Sequence, residues 1–76
     1  MIMKNNFILS ICIPTYNRAK YLDKTIFSII NQKRFKDKND VEIVISDNCS
    51  TDNTKEVSLK YTSIYPEKIR YFKNSN

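Results

Sequence analysis

At 76 residues the chain is long enough for one small domain, which buries only about 60% of the surface its unfolded form exposes. A hydrophobic content of 41%, five Tyr, four Phe and 28% charged residues exclude a disordered chain and describe a packed, soluble one. The formal charge of +5 is dispersed rather than blocked, so no basic stripe for nucleic acid is expected, and no apolar run approaches the roughly twenty residues of a membrane span.

The segment from Met1 to Ile13 lacks the form of a signal peptide, so a cytoplasmic location is expected. Cys12 and Cys49 have neither metal-site nor CxxC spacing and read as small thiols. Glycine is absent altogether. Walker loops and dinucleotide fingerprints need glycine for close backbone approach to phosphate, so both are excluded, and a nucleotide here has to be held by side chains.

Phe7 to Ile13 is a β-branched apolar run stopped by Pro14, which predicts a parallel strand covered on both faces. Asn17 is placed to cap a helix from about Arg18 to Gln32, whose apolar stripe is Leu22, Ile26, Ile29 and Ile30. Lys33 to Asp40 is charged and non-periodic and reads as a solvated connection. Val41 to Ser46 predicts a second strand. Ser50 or Thr51 then caps a second helix with Asp52 in its first turn and Val57, Tyr61 and Ile64 on its buried face. Pro66 ends that helix, and Ile69 to Phe72 forms a third strand.

The fold class that follows is α/β: a three-stranded parallel sheet in a βαβαβ Rossmann-like half, strand order 3-2-1. Right-handed crossovers place both helices on one sheet face. The other face and the outer edge of the first strand stay uncovered, which predicts self-association through either of them. Residues 1–76 read as one partial domain, the first half of a larger fold.

Both strand ends run into polar loops at the carboxyl edge of the sheet, where open α/β folds bind ligands. At the first, Pro14 fixes the turn that presents Thr15 and Tyr16, whose ring can lie flat against a base. At the second, Asp47 offers a carboxylate to a base N–H or to ribose hydroxyls. Each loop alone is equally an ordinary turn, in which Tyr16 packs, Asn17 caps a helix and Asp47 binds nearby amides.

Together, Ile-Cys-Ile-Pro-Thr-Tyr-Asn-Arg from Ile11 and Val-Ile-Ser-Asp-Asn-Cys-Ser-Thr-Asp-Asn-Thr from Val44 closely resemble the amino-terminal segment of family 2 glycosyltransferases. That resemblance implies a GT-A fold and an inverting transfer of sugar from a nucleotide donor, most simply a UDP-sugar, to a glycan or cell-surface polysaccharide. It places Pro14, Thr15 and Tyr16 in the loop lining the nucleobase pocket and makes Asp47 the acid that hydrogen-bonds the base. It makes Asp52 the second acid of that motif and Arg18 a recurring basic position with a phosphate within reach. The family's later Asp-X-Asp motif, which binds Mg²⁺ or Mn²⁺, and its catalytic base have no counterpart here, and Asp37 and Asp40 are not promoted to those roles. The resemblance therefore implies a nucleotide-binding portion with no catalytic residue and no cofactor of its own, inactive in isolation. A small non-catalytic α/β interaction module is the rival reading.

Overall fold

The computed structural model describes residues 9–74. Strands β1 (Leu9–Thr15), β2 (Val41–Asp47) and β3 (Ile69–Lys73) form one parallel sheet with β2 in the middle, the predicted order. Ile11 and Ile13 lie beside Ile43 and Ile45, which in turn lie beside Ile69 and Tyr71. Alternate residues project to the same side of a strand, so these side chains share one face. Against that face pack α1 (Ala19–Ile30), α2 (Lys33–Asp37) and α3 (Thr54–Ile64).

The core joins Leu22, Ile26 and Ile30 of α1, Phe35 of α2 and Tyr61 of α3 to Val41, Ile43, Ile45 and Ile69. Leu22, Ile26, Ile43 and Ile45 have no exposed area. Each fully buried aliphatic side chain of this kind stabilises the fold by about 1.5–3 kcal/mol relative to an exposed one. The i, i+4, i+8 stripe of α1 is thus the element that seals the sheet, with Ile29 packed at its margin.

Several boundaries differ from the sequence expectation, each for a physical reason. β1 continues through Pro14 to Thr15; Phe7 lies outside the described residues. β1 is an edge strand, and an edge tolerates a residue that has no N–H to donate. Its position also leaves Leu9, Ser10, Cys12 and Pro14 exposed, so β1 is not covered on both faces among the described residues. Asn17 does not cap α1: it has φ 51°, Arg18 holds the N-cap position, and no Arg18 side-chain bond caps the helix. The connection from Lys33 to Asp40 contains α2, because Phe35 is buried and pulls one helical turn onto the core. α3 begins only at Thr54, so neither Ser50 nor Thr51 caps it and Asp52 precedes its first turn. Ile64 is exposed at 58% rather than buried, and Thr54 and Ser58 take the inward positions instead.

The opposite sheet face carries Ser10, Cys12 and Pro14 of β1, Glu42, Val44 and Ser46 of β2, and Arg70 and Phe72 of β3. No described element covers it. Its amino-terminal end is polar: Glu42 accepts a hydrogen bond from Ser10 Oγ at 2.5 Å and pairs with Arg70 at 3.1 Å. Its carboxyl end is mostly apolar, with Cys12, Pro14 and Phe72 exposed, Val44 half-buried, and Ser46 between Pro14 and Phe72 accepting from Asn74 Nδ2 at 3.1 Å.

Candidate functional site

The three strands run the same way, so Thr15, Asp47 and Lys73 end together at one edge. The loops that follow β1 and β2 are bonded into a single unit. Asn48 N donates to the Thr15 carbonyl at 2.8 Å, and Asn17 N donates to Ser50 Oγ at 2.8 Å. Asn17 Oδ1 accepts from Thr51 N at 2.7 Å and from Asp52 N at 3.2 Å. The left-handed backbone at Asn17 turns its side chain across to the second loop, and Asn is one of the few residues besides Gly that adopt this conformation readily. Cys49 has φ 64° without that advantage.

Asp52 completes the joint. Its Oδ2 accepts from Ala19 N, at the start of α1, at 3.3 Å, and its Oδ1 accepts from Thr54 N, at the start of α3, at 3.0 Å. One exposed carboxylate thus serves two helix amino termini, where negative charge is favourable. Its pKa lies below the ordinary value, chiefly because Thr54 donates to the charged form. Arg18 and Asp52 border an open groove of about 440 Å³ with Lys20, Tyr21 and Asn53.

Asp47 has no exposed area. Its Oδ1 accepts from Ser50 N at 2.9 Å and its Oδ2 from the Tyr71 hydroxyl at 2.6 Å. Burial pushes its pKa up, but the hydrogen bonds from Ser50 and Tyr71 and the nearby Lys73 charge outweigh that and hold it below the usual carboxylate value. Tyr71 is pushed the other way, to about 12, by burial and by its bond to the Asp47 charge. The edge is closed by Asn74, whose N donates to the Asp47 carbonyl at 2.7 Å and whose Nδ2 donates to Asn48 Oδ1 at 2.7 Å.

The six sequence-predicted site residues therefore divide. Tyr16 is 57% exposed at the loop tip, and Arg18 is exposed beside it. Thr15 is buried next to Asp47, whereas Pro14 projects to the open sheet face. Asp52 stands at the junction as a strut. Asn17, Ser50, Tyr71 and Asn74, not singled out as site residues in the sequence, hold the arrangement together; only Asn17 carries a sequence signal, an Asn in a tight turn of a chain without glycine. Among the described residues no group of three His, Cys, Asp or Glu side chains is placed to hold a metal ion. Asp37 and Asp40 lie elsewhere, in ion pairs with Lys33 and Arg34, both at 2.8 Å.

Residues 10–76 match the family described as Glycosyl transferase family 2. The abequosyltransferase RfbV of Salmonella typhimurium is 47% identical over 68 residues, covering 90% of this chain and 20% of that protein. The GalNAc(5)-diNAcBac-PP-undecaprenol beta-1,3-glucosyltransferase of Campylobacter jejuni is 43% identical over 68 residues, again 90% of this chain and 20% of the relative. The chain thus spans about a fifth of the length of these curated relatives. Among solved structures, a mannosyltransferase from Pyrobaculum calidifontis in complex with GDP-Man and Mn²⁺ superposes with a TM-score of 0.75 at 22% identity, over 90% of this chain and 19% of that one. That likeness is one of fold, and the fold is GT-A. The family match over residues 10–76, with relatives this similar across nine-tenths of the chain, means that the chain belongs to glycosyl transferase family 2.

Proposed function

We propose that residues 1–76 are the nucleotide-binding half of a GT-A domain, taking the base and ribose of a nucleotide-sugar donor at the carboxyl edge of the sheet. The observation that carries this reading is the exposed Tyr16 ring on a loop bonded directly to the loop of Asp47. Tyr16 supplies a flat stacking surface and Asp47 a charged acceptor for a base N–H. Arg18, exposed at the start of α1, is the basic group assigned to a phosphate in this reading. The donor is a UDP-sugar and the acceptor a glycan or cell-surface polysaccharide, with the reaction on the cytoplasmic side. No described helix is long and apolar enough to cross a membrane.

Binding without transfer is the expected behaviour of these residues alone. The two acids at the edge, Asp47 and Asp52, are both engaged in hydrogen bonds that hold the loops, so neither is disposed to deprotonate an acceptor hydroxyl. Among the described residues no group of three His, Cys, Asp or Glu side chains gathers to hold the Mg²⁺ or Mn²⁺ expected for a family enzyme.

Calorimetric titration with UMP tests the site. Tyr16 is exposed and its removal leaves the core intact, so Tyr16→Ala should weaken UMP binding about tenfold by loss of stacking. Equal affinity in wild type and variant would remove Tyr16 from the site. A second reading, a non-catalytic module that self-associates, is favoured by the sheet face and the β1 edge that stay uncovered among the described residues. It predicts no nucleotide binding at all.

A further inference from the structure

A carboxylate that contacts a ligand needs an approach, yet Asp47 is wholly buried and each of its oxygens already has a donor. The two donors are not equivalent. Ser50 N is a backbone group of the joined loops, in a residue that is itself buried and whose hydroxyl is held by Asn17 N. That side of Asp47 is fixed. Tyr71 reaches Oδ2 from β3 with a half-buried side chain, and its hydroxyl stays protonated far above neutral pH. Its ring packs against the core, but its hydroxyl lies outside the two loops, whose mutual hydrogen bonds run through Asn17, Ser50, Thr51 and Asp52 and do not involve it.

We infer that Tyr71 is a gate on Asp47: a ligand N–H takes the Oδ2 position that the Tyr71 hydroxyl holds, and the two donors compete for one acceptor. This rests on the nucleotide reading given above and specifies how it operates. Competition with an O–H donor selects ligands that offer a ring N–H at the same point, because a base edge presenting a lone pair there would replace an attraction with a repulsion. Tyr71 therefore lowers the affinity for every base and, by the same contact, keeps the carboxylate satisfied when no base is bound.

The consequence is a pair of effects with opposite signs. Tyr71→Phe leaves a buried carboxylate oxygen without its donor, so the melting temperature should fall. The same change removes the competitor, so calorimetry should find UMP bound about tenfold more tightly than by wild type. A purely structural tyrosine would give the fall in melting temperature with unchanged or weaker binding, and that result overturns the gate. Selective ¹³C labelling at tyrosine Cζ reads the exchange in the unmodified chain, independently of how the variant folds. On saturation with UMP the Tyr71 resonance should move while that of Tyr61, bonded to Asp23 between α1 and α3, stays in place. A stationary Tyr71 resonance in a chain that binds UMP overturns the gate alone. Absence of UMP binding by both wild type and Tyr71→Phe overturns the gate together with the nucleotide reading.

Discussion

Asn17 and Cys49 stand on either side of the loop joint, both with left-handed backbones in a chain that has no glycine to place there. Asn17 is matched to its position: its φ is tolerable for Asn and its Oδ1 receives two backbone N–H groups. Asn17→Ala should lower the unfolding free energy by about 1–2 kcal/mol, the sum of lost hydrogen bonds and a disfavoured backbone, as read from a urea titration. Cys49→Gly should raise it by about 0.5–1 kcal/mol, because relief of the left-handed strain exceeds the added entropy of the unfolded chain. Titratable residues set the pH limits of stability. Asp47 and Asp23 have pKa values below the ordinary one in the folded chain, Asp23 mainly through the Tyr61 hydroxyl. Their contribution is complete above the unfolded value of about 4 and is lost as pH falls through the folded one. Tyr61 and Tyr71 are raised from 10.0 to about 12, so their contribution is complete below pH 10 and is lost as pH rises toward 12. The urea midpoint should therefore be flat between about pH 5 and 9 and fall on both sides, with Tyr71→Phe shortening the alkaline fall.

At the level of elements, burial separates positions that look alike in the sequence. Ile43 has no exposed area in the middle strand, and Ile43→Ala should destabilise by about 2–5 kcal/mol. Ile64 lies at the solvent side of the end of α3, and Ile64→Ala should change stability by less than about 0.5 kcal/mol. The strands were legible as short β-branched apolar runs and α1 as a stripe of period 3.6, but the runs gave no sign that β1 is covered on one face only among the described residues. α2 was not, since a single buried aromatic, Phe35, leaves no period in a charged stretch. The start of α1 was misread for a different reason. Capping rules look to the residues just before a helix, whereas Ala19 at the start of α1 is served by Asp52, 33 positions later. The two loops of the candidate site were legible as a pair, but the engagement of the Asp47 carboxylate was not, because one of its donors is Tyr71, 24 positions away on a different strand.

For the whole molecule, three helices on one sheet face leave the other face and the β1 edge free among the described residues. Cys12, Pro14, Val44 and Phe72 form the apolar end of that face. Surfaces of this kind mark interfaces, and a two-fold dimer is the simplest way for one chain to cover its own. Sedimentation over a concentration series should show reversible self-association that weakens in Phe72→Lys; a monomer at hundreds of micromolar would leave the face unexplained by self-pairing. The central claim, that the joined loops at the carboxyl edge receive a nucleotide, is tested most directly by a ¹H–¹⁵N spectrum of the chain titrated with UMP. Saturable shifts should be confined to residues 15–18, 47–52 and 71–74. No shifts at millimolar UMP, or shifts centred on the outer surfaces of α1 and α3, would contradict it.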